Sequence, residues 1–126
     1  MKTQSLIILI FTGFFIIFAA TESISDNKAD ETKQIERLLA RIEAMQDVVF
    51  IRNGKEYNSD KAVDHLRLKW KKAGRRVETA EDFIELCASG SSISGKPYKI
   101  RLPDGRVENS AVIFKELLEE IKRSND

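Results

Sequence analysis

The sequence predicts an α+β fold, a small antiparallel sheet built from two hairpins and packed with about four helices in the order αββα-αββα. Three observations predict it. Apolar residues recur at spacings of three and four in several separate stretches, the mark of helices with one buried stripe. Two short runs suited to strands each lead into a glycine turn. The segment from turn to following helix then recurs 51 positions on, with Gly54, Asn58 and Ser59 answered by Gly105, Asn109 and Ser110. This suggests an internal repeat, although any hairpin that feeds a helix needs a Gly turn and an Asn or Ser cap.

The elements follow in order. Ile35, Leu38, Leu39, Ile42 and Met45 form the first helical stripe, with Lys33, Arg37, Arg41 and Glu43 away from its centre. Val48-Val49-Phe50-Ile51-Arg52 is β-branched and aromatic, and Asn53-Gly54 tolerates the positive φ angles of a tight hairpin turn, so Lys55-Glu56-Tyr57 returns as a second strand. Ser59 reads as the N-cap of a helix over about 60–73, stopped by Gly74. Thr79-Ala80-Glu81-Asp82 is a variant capping box that opens a third helix ending near Gly90. Tyr98, Ile100 and Leu102 alternate with Lys99 and Arg101 as a half-buried strand requires, and Pro103-Asp104-Gly105 turns the chain into Arg106-Val107-Glu108. Ser110 then reads as the cap of a last helix whose buried face carries Phe114, Leu117, Leu118 and Ile121.

At the N-terminus Lys2 precedes an apolar run, Leu6–Ala20, broken only by Thr12 and Gly13 and followed by Thr21-Glu22-Ser23. This is the pattern of a secretory signal peptide over residues 1–23, with small residues permitting cleavage after Ala20 or Ser23. The run is shorter than the about 20 apolar residues a transmembrane helix wants, so an uncleaved anchor is the alternative rather than the main reading. No Cys stands near the end of the segment to accept a lipid, and no stable membrane insertion is expected after cleavage. Polar residues 24–31 read as a flexible leader and residues 32–126 as a single domain. The expected location is the periplasm, with secretion as the alternative.

Composition removes several function classes. One Cys and one His among 126 residues cannot make a closed zinc site, an iron–sulfur cluster or a disulfide framework, and no metal or cofactor is expected. A net charge of +1 gives no global field for nucleic acid, and the loss of Lys2 and Glu22 on cleavage leaves that balance unchanged. Anion binding, if present, is local.

Four candidate sites remain. Cys87 falls among Phe83, Ile84 and Ala88 on the apolar face of its helix, which suits an inert packing thiol better than a nucleophile. His65 flanks the Val63, Leu66 and Trp70 stripe beside Lys61, Lys69 and Lys72, cations that favour its neutral form. Arg67, Lys69, Lys71, Lys72, Arg75 and Arg76 crowd the end of the second helix, where they compensate the helix dipole and also offer a face to an anionic envelope component or acidic protein. Ser89-Gly90-Ser91-Ser92-Ile93-Ser94-Gly95-Lys96-Pro97-Tyr98 offers hydroxyls, close backbone approach and a charge, a suitable cradle for phosphate or carboxylate. It is not a P-loop, because Pro97 stands where Ser or Thr is required and the segment runs from helix to strand.

Phe50-Ile51-Arg52-Asn53-Gly54, His65-Leu66-Arg67 with Lys69, Ala80-Glu81-Asp82-Phe83-Ile84, and Ser91-Ser92-Ile93-Ser94-Gly95-Lys96-Pro97-Tyr98, in that order and spacing, resemble a family of small exported bacterial proteins known only as a domain of unknown function. The resemblance covers roughly residues 33–121. It implies a bacterial, signal-peptide-bearing periplasmic protein and supplies no catalytic residues. The functional expectation is a non-enzymatic binding module of the envelope, an inhibitor, immunity-type or accessory protein. It would use Ser91, Ser92, Ser94, Lys96 and Tyr98 of the loop with Arg67, Lys71, Arg75 and Arg76 of the helix end, against an envelope protein or anionic component. The alternative is a small hydrolase or transferase acting on envelope material through His65 and a loop serine.

Overall fold

Residues 19–125 are described in the computed structural model, so most of the signal-peptide reading of residues 1–23 lies outside the described residues. The first helix, α1, runs Ala19–Glu43, and residues 24–31, expected as a flexible leader, are helical within it. They contain neither Gly nor Pro, and adding a residue to a helix already nucleated by the Ile35 to Ile42 stripe is far easier than starting one. The chain divides after Asp30, and Glu31 onward forms one unit. No helix among the described residues is long and apolar enough to cross a membrane.

The two hairpins form as their turns require. Strands β1 (Val49–Arg52) and β2 (Lys55–Tyr57) pair antiparallel, and Asn53 and Gly54 between them take φ values of 50° and 78°. Strands β3 (Lys99–Arg101) and β4 (Val107–Asn109) make the second hairpin. The first strands of the two hairpins lie side by side, with Phe50 opposite Ile100, giving one antiparallel sheet in the order β2-β1-β3-β4. Phe50 and Ile100 turn toward the helices, while Glu56 and Arg101 form an ion pair on alternate positions.

Helix α2 (Ser59–Ala73) packs on β1, and α4 (Ser110–Arg123) packs on β3 and β4. Helix α3 (Ala80–Phe83) opens with the expected capping box: the Thr79 hydroxyl accepts from Asp82 N at 3.0 Å and the Asp82 carboxylate accepts from Thr79 N at 3.1 Å. Glu31 accepts from Ala80 N at 2.7 Å, so α1 satisfies another free donor at the start of α3. A wider π-helical turn, Ile84–Ala88, then places Ile84, Cys87 and Ala88 between α2 and α4. The Ile84 carbonyl accepts from the Ser89 hydroxyl at 2.6 Å. Phe83, Phe114, Leu38, Leu39, Ile42 and Ile84 are the largest fully buried side chains, each worth about 1.5–3 kcal/mol of transfer free energy.

The caps of α2 and α4 differ from expectation. Asn58 and Asn109 hold the N-cap positions, and the Asn58 side chain accepts from Lys61 N at 2.9 Å. Ser59 and Ser110 are the first helical residues, both buried. Each sends its hydroxyl back to the helix preceding its hairpin, Ser59 to the Glu43 carbonyl at 3.4 Å and Ser110 to the Ala88 carbonyl. Both serine hydroxyls thus meet carbonyls at a helix end, a local need that accounts for the recurring Asn-Ser pair without an internal repeat.

Candidate functional site

Arg52 is the last residue of β1 and, two positions after Phe50, faces the helices. Tyr57 lies across from Phe50 in β2, and Tyr98 immediately precedes β3. Helix α2 offers His65 and Lys69 one turn apart on the same flank. These elements surround a pocket of about 140 Å³ whose apolar lining includes Phe50, Ala62, Leu66, Ala88 and Phe114, with Arg52, His65, Tyr57, Tyr98 and the lysines 61 and 99 also bordering it.

The polar groups form one connected set. Arg52 Nη1 lies 2.8 Å from Nε2 and 2.9 Å from Nδ1 of His65. His65 Nε2 is 3.2 Å from the Tyr98 hydroxyl, which accepts from Lys69 Nζ at 3.0 Å. Lys69 also donates to the Gly90 carbonyl at 2.7 Å and sits 4.7 Å above the Tyr98 ring centre. The Arg52 guanidinium lies 5.5 Å from the Tyr57 ring centre, a cation–π contact.

Arg and Lys only donate, so a bond from Arg52 requires an unprotonated nitrogen on His65. Burial, first, and then the charges of Arg52, Lys69 and Lys72 hold the His65 pKa below its ordinary 6.5, in the same direction. The neutral imidazole is the form this arrangement keeps, which agrees with the reading from the neighbouring lysines. None of the loop serines bonds to His65; its partners are Arg52 and Tyr98. Cys87 is fully buried, and burial pushes its thiol pKa up, as suits packing rather than attack. Among the described residues no group of three or more His, Cys, Asp or Glu side chains is placed to hold a metal ion.

The loop serines have a structural task. Ser91 Oγ accepts from Ile93 N and Ser94 N, both at 3.3 Å, and Ser91 N donates to the Lys96 carbonyl at 2.9 Å. The Ser94 hydroxyl bonds Asn53 Oδ1 at 2.7 Å, which fastens the loop to the β1–β2 turn. The chain passes close here, since a Cβ on Gly90 would lie 3.0 Å from the Lys96 carbonyl oxygen and the loop backbone would have to give way. Ser92 and Lys96 are exposed, and Ile93 is 99% exposed at the tip. Tyr98 alone among the predicted loop residues enters the pocket.

Predicted cations of α2 separate onto two flanks. Lys69 faces Tyr98 and Gly90, whereas Arg67 pairs with Glu36 of α1 at 2.9 Å and shares a shallow groove with Trp70 and Lys71. At 100° per residue, Arg67 and Lys71 fall on the far side of the buried stripe from His65 and Lys69. Arg75 is exposed, and Arg76 donates to the Ala73 carbonyl at 3.4 Å. Arg52 and Tyr57 were the residues the sequence reading missed as site members. The signal was present, because Arg52 alternates with Phe50 and so must share its face.

A family model described as a family of unknown function (DUF5329) matches residues 29–122. An uncharacterized protein, YfeK, of Salmonella typhimurium is 46% identical over 70 residues, which cover 56% of this chain and 58% of the relative. No solved structure matches.

Proposed function

The chain belongs to this family of unknown function, DUF5329, and we propose that it is an exported, non-enzymatic binding module whose ligand site is the pocket between α2 and the sheet. The observation that carries the reading is the Arg52, His65, Tyr98 and Lys69 set. Its charged members are all cationic, and among the described residues no carboxylate pairs with Arg52. Arg52 and the exposed lysines 61 and 99 beside an apolar lining favour an anion with an apolar body. The histidine is held neutral by burial and then by the neighbouring cations, and among the described residues no carboxylate orients it and no serine is poised against it, which supports binding over turnover. Export is supported by the Met1 to Ser23 pattern, and the natural target is then an anionic component of the envelope or an acidic protein presenting such a group.

The adjoining loop extends the same surface. Its internal bonds brace it and fasten it to Asn53, next to Arg52, which lowers the cost of ordering it against a partner. Calorimetric titration of the purified protein with benzoate, phosphate and benzylammonium tests the reading. Binding of an anion, recovered chemically unchanged, with no binding of benzylammonium, is the expected result. Equal binding of the cation, or conversion of the bound molecule, overturns it.

A further inference from the structure

We infer that the pocket takes a carboxylate carried on a single ring or a similarly compact apolar group, the carboxylate on Arg52 and the ring against Phe50, Leu66 and Phe114; this rests on the anion-binding reading above. Three observations converge. The first is size: a cavity of about 150 Å³ lined by apolar side chains holds one benzene molecule, and this pocket measures about 140 Å³.

The second is the spare donor capacity of Arg52. Only Nη1 is engaged by His65, so the remaining N–H groups of the planar fork are left for a two-oxygen acceptor, which a carboxylate matches in geometry. Arg52, itself half-buried, lines the pocket, with lysines 61 and 99 exposed at its border. The third is the lining itself, in which Tyr57, Tyr98 and His65 join Phe50 and Phe114 to offer ring edges and faces. His65 and Tyr98 already meet edge to face, with ring centres 6.0 Å apart.

Titration of the full chain with benzoate, acetate and inorganic phosphate tests this, followed by protein NMR and calorimetry. Benzoate is expected to bind at least about tenfold more tightly than acetate, the effect of burying its ring. Arg52→Gln should lose about tenfold in benzoate affinity, and Ala62→Phe, which fills the apolar end, should abolish the preference for benzoate. If acetate or phosphate binds as tightly as benzoate, the ligand class is wrong while anion binding stands. If no anion binds the parent protein, both readings fall. The ratio among the three anions is read on the parent protein, so the result holds even where a variant does not fold.

Discussion

The Arg52 guanidinium and the His65 imidazole are in contact, Nη1 lying 2.8 Å from Nε2, although the two side chains come from a strand end and the middle of a helix. The cation adds to burial in favouring the neutral form of that base. The contact also leaves the cation without a carboxylate partner among the described residues, which is an uncommon condition for a half-buried arginine.

The first prediction concerns pH. His65 keeps a pKa below 6.5 in the folded chain, chiefly through burial and next through Arg52. As pH falls through 6.5 the unfolded chain takes up a proton that the folded chain refuses, so stability declines until the folded value is passed. NMR titration of the imidazole should give a midpoint below 6.5. Arg52→Gln should move that midpoint upward without restoring it fully, since burial remains. An unshifted midpoint in the parent protein contradicts the contact.

The second prediction separates structural serines from surface ones. Ser110 is buried and donates to the Ala88 carbonyl, so Ser110→Ala should cost about 1–3 kcal/mol by leaving that acceptor unmet. Ser92 is exposed, and Ser92→Ala should fall within about 0.5 kcal/mol of the parent. Urea denaturation of both variants measures the difference. Equal stabilities would mean that the Ser110 bond does not hold the end of the π-helical turn.

Much of the fold was legible because its punctuation is local. Asn53-Gly54 states its turn, Thr79 to Asp82 states its capping box, and the Ile35 to Ile42 spacing states its buried face. The serines were misplaced by one residue because Asn and Ser both make good caps, and only the tertiary position of the Ala88 and Glu43 carbonyls decides between them.

The site was less legible. Tyr98 was named for its place in the Ser-rich loop, yet its importance comes from Lys69 and His65, which reach it because β3 lies beside β1. Strand order is a tertiary fact that no local pattern carries. The α2 cations looked like one patch when read along the chain, whereas the helical repeat sends Lys69 to the sheet side and Arg67 to Glu36 of α1.

The third prediction concerns export. Protein recovered from the periplasm of a producing cell should begin at Thr21 or Ile24, as intact-mass measurement would read. Recovery of the chain with Met1 in the membrane fraction would mean that the apolar run serves as an anchor.

The most direct test of the Arg52 pocket is titration of the isotope-labelled protein with benzoate, watching the Arg52 Nε–H resonance together with the amides of Phe50, Ala88 and Tyr98. The account predicts that these resonances move together to saturation in the parent protein and stay in place in Arg52→Gln. Saturable shifts of the same size in Arg52→Gln, or shifts confined to the Arg75 and Arg76 end of α2, would contradict it.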